Sequence, residues 1–236
     1  MRTDGSGTRG AAILAPDVRV IAVPVKDPAR AKARLATLLG PEERARLTLA
    51  MLEDVLEAAL AQVGWEVWVV SPSVAALETG AARGARPVPE HTGSLRGAVR
   101  HVEALLGTAA ARPRKPGTEL AVLLADLPLL TAASLGLALS TPGAVVAAPA
   151  TDGGTNLLLR RPPSVVPARF GRDSFRRHRW EAARAGVSFR AVRRPELAFD
   201  LDRPDELLAV LEADQPTRTR SACLELGLPG RFRVGA

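Results

Sequence analysis

The amino-acid sequence predicts one α/β domain, a mainly parallel sheet with helices on both faces. Three observations carry that expectation. Short β-branched apolar runs alternate with segments of helical period. Charged residues gather just after the ends of those runs, where open α/β sheets place their ligands. No internal repeat and no linker divides the 236 residues, an ordinary length for one sheet of this kind.

Taken in order, residues 1–16 read as a flexible leader, 17–213 as the domain and 214–236 as a C-terminal tail without clear pattern. Arg19–Val25 is the first buried strand. Pro41-Glu42-Glu43 opens a helix, with proline in the first turn and acids at the positive end of the dipole. Leu47, Met51, Val55 and Ala59 then form one apolar stripe. Trp65–Val70 is a strand, part of 74–82 a weaker helix, and Arg86–Pro89 a short strand. Ser94–Leu106 is a helix with Leu95, Ala98, Val99, Val102 and Leu106 inward, and 107–117 is a loop. Glu119–Leu124 is a strongly apolar strand, Leu135–Leu139 belongs to a helix, and Ala144–Ala148 is another strand. The Gly-rich loop Asp152–Asn156 leads into Leu157–Leu159. Ser174–Ala185 is helical, Val187–Val192 a strand, Leu197–Leu201 a short strand, and Pro204–Leu211 a helix.

Composition narrows the function classes. The hydrophobic fraction is 47% and the charged fraction 24%, which suits a packed core and argues against disorder. The net charge is +7, spread along the chain as a solvated arginine surface. Aromatics are 3% with no tyrosine, so a stacking platform for single strands is not expected, and no nucleic-acid partner is predicted. The lone Cys223 excludes an intramolecular disulfide and reads as structural. No signal-peptide pattern and no apolar run of about 20 residues is present, which predicts a soluble, cytoplasmic protein without a membrane partner.

Five places could carry chemistry. The loop after the first strand holds Lys26, Arg30, Lys32 and Arg34, in a chain whose only lysines are Lys26, Lys32 and Lys115. Its charge and position suit a triphosphate; the alternative is a solvated basic loop. Asp126 follows an apolar strand and precedes Leu127-Pro128, where a carboxylate can meet magnesium, or simply cap a turn. Asp200 and Asp202, two apart on an expected strand, face one way and could join it, unless Asp202 caps the helix at Pro204. Gly153-Gly154-Thr155-Asn156 offers close backbone approach and a hydroxyl, or only a hairpin. Phe170-Gly171 with Asp173 and Ser174 opens a helix whose N-terminus suits an anion, or is an ordinary cap. His91, His101 and His178 lack metal-ligand spacing. No Gly-x-Ser-x-Gly, Walker A or dinucleotide fingerprint occurs, which removes serine hydrolases, P-loop NTPases and ordinary dehydrogenases.

In order and spacing, these stretches resemble the CofC family. They are Pro24-Val25-Lys26 with Ala31–Leu35, Ala125–Leu129, Gly154–Asn156, Phe170-Gly171 with Ser174-Phe175 and His178, and Leu197–Asp202 with Pro204. The resemblance covers about residues 19–211. It implies a MobA-like, Rossmann-like nucleotidyltransferase fold and guanylyl transfer from GTP to phosphoenolpyruvate or 2-phospho-L-lactate, with pyrophosphate released, in coenzyme F-420 biosynthesis. It further implies that Asp126, Asp200 and Asp202 hold Mg2+, that Pro24, Lys26, Lys32, Arg34, Gly93 and Arg96 serve the nucleotide, and that Thr155, Gly171 and Ser174 hold the acceptor acid. Lys26 and Asp126 would be catalytic, and a downstream transferase would take the product. The chain departs from the family pattern at Ala33, at Ser94-Leu95-Arg96 near the expected base site, and at Pro149–Gly153 near the expected acceptor pocket. The competing readings are transfer to another phosphorylated acceptor (3-phosphoglycerate, molybdenum cofactor or a sugar phosphate) and a non-catalytic nucleotide- or nucleic-acid-binding protein.

Overall fold

The computed structural model of the chain describes residues 18–107 and 117–233. The expected leader at 1–16, Lys115 and most of the 107–117 loop lie outside the described residues. Seven strands, β1 (Arg19–Pro24), β2 (Glu66–Ser71), β3 (Arg86–Pro89), β4 (Glu119–Leu123), β5 (Val145–Pro149), β6 (Thr155–Arg160) and β7 (Phe189–Ala191), form one sheet in the order β3-β2-β1-β4-β6-β5-β7. Most pairings are parallel, as expected. β6 runs antiparallel to both β4 and β5, so the sheet is mixed. The Gly-rich loop before it is a hairpin connection: Ala150 N–H donates to the Gly154 carbonyl, too tight a reversal for a parallel crossover.

The strands alternate their buried side chains between two layers of helix. On one face Ile21 and Val23 of β1 pack against Leu52, Val55, Leu56 and Ala59 of α1 (Pro41–Leu60), beside α2 (Val74–Ala82) and α4 (Ala132–Ser140). On the other face Val20 and Ala22 meet Ala98, Val99 and Val102 of α3 (Leu95–Leu105). α5 (Ser174–Arg184) covers β5 and β6 through Ala182. The four residues of the expected α1 stripe are all fully buried. Helix α1 starts where proline and two acids predict, and Glu43 accepts from the Gly40 N–H at 2.8 Å.

Two expectations are corrected. Leu197–Leu201 is not a strand. Pro195 starts a single helical turn, α6 (Pro195–Ala198), closed by Phe199 N–H donating to the Pro195 carbonyl. Residues 199–203 then run without regular structure into α7 (Pro204–Glu212). The tail is also structured. α8 (Arg218–Glu225) and α9 (Leu228–Arg233) lay Ala222, Cys223 and Leu228 against Leu47 and Met51 of α1. Burial pushes the Cys223 thiol up to about 12, so the cysteine is a packing residue.

Asp54 fastens this C-terminal layer. It is buried on α1 and accepts from the backbone N–H groups of Arg218 and Thr219 at 2.7 and 2.9 Å, and from the Thr219 hydroxyl at 2.5 Å. It thereby meets donors that a helix start leaves unpaired. Burial holds its carboxyl above the ordinary value, outweighing these donors. Asp54→Ala strands all three donors and is expected to cost about 2–4 kcal/mol in urea unfolding. Cys223 should then react faster with a thiol reagent; unchanged stability and thiol reactivity would show that α8 is held by its apolar face alone.

Candidate active site

A cleft of about 390 Å³ opens at the carboxyl ends of β1, β2 and β4. Among the sequence-predicted residues it brings together Pro24, Lys26, Lys32, Arg34, Gly93, Asp126 and Asp202. Three segments build its floor. The first is the β1 loop, wound into two short 3-10 turns at Pro28–Arg30 and Ala33–Leu35. The second is the Asp126 turn after β4. The third is the irregular stretch 199–203, hung on that turn by Leu201 N–H donating to the Asp126 carbonyl at 3.0 Å. That one backbone bond brings Asp202 beside Asp126 although 76 residues separate them.

Lys32 lies between the two acids. Its ammonium donates to Asp126 Oδ2 and to Asp202 Oδ1, each at 2.7 Å. Burial alone would lower the Lys32 pKa; the charges of Asp126 and then Asp202 overcome that and raise it. Burial likewise pushes Asp202 up, and Lys32 outweighs it and holds the carboxyl below its ordinary value. Arg34 stands 3.7 Å from Asp202, and Lys26 is exposed at the mouth. Asp202 does not cap α7. Glu206 does that by accepting from the backbone N–H groups of Asp202 and Arg203, which frees the Asp202 side chain for the cleft.

The expected acid triad is therefore not gathered as one cluster. Among the described residues no three carboxylate, imidazole or thiolate groups are grouped to hold a metal ion. The strand that was to align Asp200 with Asp202 is absent. Lys32 occupies the space between Asp126 and Asp202, while Asp200 lies 3.4 Å from Asn156 Nδ2. Burial first, then the nearby charge of Asp126, lifts the Asp200 carboxyl to about 6.

Arg96 is exposed in the first turn of α3 and is not part of the cleft lining. The wall there is made instead by Glu90, Gly93, Ser94 and Leu95. Glu90 was not singled out from sequence. It is buried, and its carboxylate accepts from the N–H groups of Thr92 and of Gly93, the latter at 3.0 Å. This folds the turn in which Gly93 has φ +62°. An acid just after a strand with glycine three residues on was the available signal. Gly97 locks the same turn: a Cβ there would lie 1.7 Å from Thr92 Oγ1. Gly97→Ala is expected to overpack this contact by about 1–3 kcal/mol, weakening nucleotide binding in calorimetry along with the melting temperature. The double variant with Thr92→Gly should recover both. A single variant that binds nucleotide normally would uncouple the turn from the cleft.

Thr155, Gly171 and Ser174 form a separate corner outside the cleft lining. Thr155 and Ser174 are buried, and Ser174 Oγ donates to Thr155 Oγ1 at 2.9 Å. His178 completes the group: its Nε2 accepts from the Arg169 N–H at 2.8 Å. The proton of the neutral ring is then on Nδ1, which donates to Thr155 Oγ1 at 3.1 Å. With both lone pairs of Thr155 occupied, its own hydroxyl proton is left to donate elsewhere. Gly171 is exposed with φ +116°, a conformation that favours glycine. Asn156 links this corner to the cleft, donating to the Leu197 and Ala198 carbonyls and reaching Asp200.

The chain matches the family described as "Guanylyl transferase CofC like" over residues 18–235. It is 42% identical to a phosphoenolpyruvate guanylyltransferase of Rubrobacter xylanophilus, across 81% of this chain and 92% of that enzyme. It is 38% identical to a 3-phospho-D-glycerate guanylyltransferase of Phenylobacterium zucineum, across 86% and 94%. Among solved structures, a nucleotidyl transferase from Methanothermobacter shares the fold with a TM-score of 0.59 at 15% identity, covering 83% of this chain and 96% of that one.

Proposed function

The chain belongs to the CofC-like guanylyl transferase family and is a nucleotidyltransferase, and from that premise we propose that it moves GMP from GTP to phosphoenolpyruvate. A phosphate oxygen of the acceptor forms a bond to the α-phosphorus of GTP, and the bond to the β-phosphate breaks, releasing pyrophosphate. The protein supplies no covalent intermediate; its work is positioning and charge neutralisation. The observation that carries this reading is the floor of the cleft, where Asp126 and Asp202 meet the cations of the β1 loop. Lys26, Lys32 and Arg34 receive the triphosphate. The Glu90–Gly93 turn and Leu95 wall the nucleotide. Thr155 donates its remaining proton to the acceptor, assisted by backbone near Gly171.

The residues present fit Mg2+. Asp126 and Asp202 offer hard carboxylate oxygens, and Asp126 Oδ1 is buried without a hydrogen-bond partner among the described residues. We assign Asp126, Asp202 and, after reorientation, Asp200 to it. Bound there with the triphosphate, the ion supplies positive charge against the phosphate oxygens. The product passes to a downstream transferase of coenzyme F-420 biosynthesis.

The choice of acceptor follows the similarity to the Rubrobacter xylanophilus enzyme; similarity to a 3-phospho-D-glycerate enzyme makes that acid the second reading. The test is pyrophosphate release from GTP with phosphoenolpyruvate, 2-phospho-L-lactate and 3-phospho-D-glycerate at equal concentration. Phosphoenolpyruvate should give the highest kcat/KM. A higher value with either other acid overturns the acceptor assignment and leaves the transferase class standing.

A further inference from the structure

Lys32 is a charged residue with an unusual cost. Its backbone is left-handed, φ 53° and ψ 43°, at the junction of the two 3-10 turns of the β1 loop. A residue with a Cβ holds that conformation only where its surroundings over-determine it. The surroundings here are two carboxylates. The side chain is 6% exposed, its ammonium is shared between Asp126 Oδ2 and Asp202 Oδ1, and among the described residues no other acid pairs with it. The other loop cations, Lys26, Arg30 and Arg34, are exposed. Of the four, Lys32 alone is folded inward, onto the acids at the cleft floor.

We propose that Lys32 is a displaceable counter-ion, whose ammonium occupies the place between Asp126 and Asp202 that a divalent cation takes only when nucleotide arrives. This rests on the nucleotidyltransferase reading of the cleft and adds to it an order of assembly. In the nucleotide-free protein the ammonium already neutralises the two oxygens a metal would use, and like charge repels a second cation there. The triphosphate changes the balance because it offers the ammonium new acceptors along the same wall. A lysine head on a four-carbon stem can turn to them, where a planar guanidinium would be less free to do so. The two states differ in named contacts: Lys32 to carboxylates without nucleotide, Lys32 to phosphate with it. That differential is what a coupling between two ligands requires. Metal and nucleotide should therefore bind with strong positive cooperativity, and free metal alone should bind weakly. Asp126 Oδ1, buried and without a hydrogen-bond partner among the described residues, is an oxygen that the ammonium leaves open to the incoming cation.

The test is Mn2+ binding followed by electron paramagnetic resonance, without nucleotide and with an α,β-methylene GTP analogue. Wild type should bind Mn2+ weakly alone and at least about tenfold more tightly in the ternary complex. Lys32→Met should bind Mn2+ alone about tenfold more tightly than wild type, with most of the nucleotide dependence gone. Lys32→Arg, which keeps the charge, should stay as weak as wild type. Mn2+ should raise the melting temperature of Lys32→Met more than that of wild type. If Lys32→Met does not fold, Lys32→Gln is read in its place. Equal Mn2+ affinity of wild type and the neutral variant, with metal present in both ternary complexes, overturns the counter-ion role and leaves the transferase reading intact. A wild-type ternary complex that holds no Mn2+ removes the metal assignment itself and this inference with it.

Discussion

Asp126→Asn is expected to lower guanylyl transfer by about 10²–10³-fold while the protein keeps its fold. The expectation comes from dividing what Asp126 does between backbone and side chain. Its carbonyl holds Leu201 and thereby the whole 199–203 stretch; asparagine keeps that bond. Its carboxylate holds one side of Lys32 through Oδ2 and presents the buried, unpartnered Oδ1 to the cleft; asparagine keeps the shape and removes the charge. Lys32 retains Asp202 at 2.7 Å, so the loop stays closed. Asp200 loses the like-charge neighbour that helps lift its carboxyl to about 6, and its pKa should move back toward the ordinary range. Pyrophosphate release at limiting and saturating Mg2+, with thermal melts run in parallel, decides the matter. Near-normal turnover at limiting Mg2+ would remove Asp126 from the chemistry. A collapse in melting temperature would make its role structural.

What could be read from the sequence followed from how local each signal was. β1 and β4 are short apolar runs flanked by charge, and the α1 stripe repeats every four residues, so both could be placed without tertiary information. The direction of β6 could not. All six of its residues are buried, and an apolar run carries no record of which way its neighbours run. Leu-Ala-Phe-Asp-Leu at 197–201 alternates like a strand, but Pro195 and Glu196 had already set a helical first turn. α8 and α9 are eight and six residues long, too short and polar for a visible helical period. What places α8 is Asp54, more than 160 residues earlier.

The site divides in the same way. Asp126 and the basic loop were visible because each sits directly after a strand. That Lys32 pairs with the acids was not visible, because it depends on a left-handed backbone and on a stretch arriving from residue 202. Thr155 was expected to offer a hydroxyl to a ligand, and Ser174 a backbone N–H at a helix start. The structure shows them buried and mutually bonded, with His178 fixing the proton order. The spacing argument that denied the histidines a metal says nothing about a histidine acting as a hydrogen-bond clamp.

His178 also sets the second large effect, on stability toward acid. Burial first, and the Arg160 guanidinium second, push its imidazole down to about 4, against 6.5 in the unfolded chain. Below pH 6.5 the unfolded state takes up a proton that the folded ring refuses, so stability is lost as pH falls and the loss is complete near pH 4. The size is about 3 kcal/mol, a direct conversion warranted because the ring is fully buried. Asp200 works the other way in the same window. Its carboxyl, raised to about 6, keeps its proton when folded, so this group stabilises the fold as pH falls from 6 toward the ordinary carboxylate range. The measured slope sums these two with the other shifted carboxyls, Asp54 and Asp202 among them, and only a variant isolates His178. His178→Asn keeps an N–H for Thr155 and removes the titration, though it leaves the Arg169 N–H without its acceptor. Urea unfolding at steps from pH 7.5 to 4.5 should show the variant less stable at pH 7.5 but with a flatter descent, and the two curves converging toward acid. Parallel curves would mean that His178 takes up its proton in the fold over the same pH range as in the unfolded chain, near 6.5. Below that pH the Arg169 N–H would face a donor instead of an acceptor, and the proton order that leaves Thr155 free to donate would not hold there.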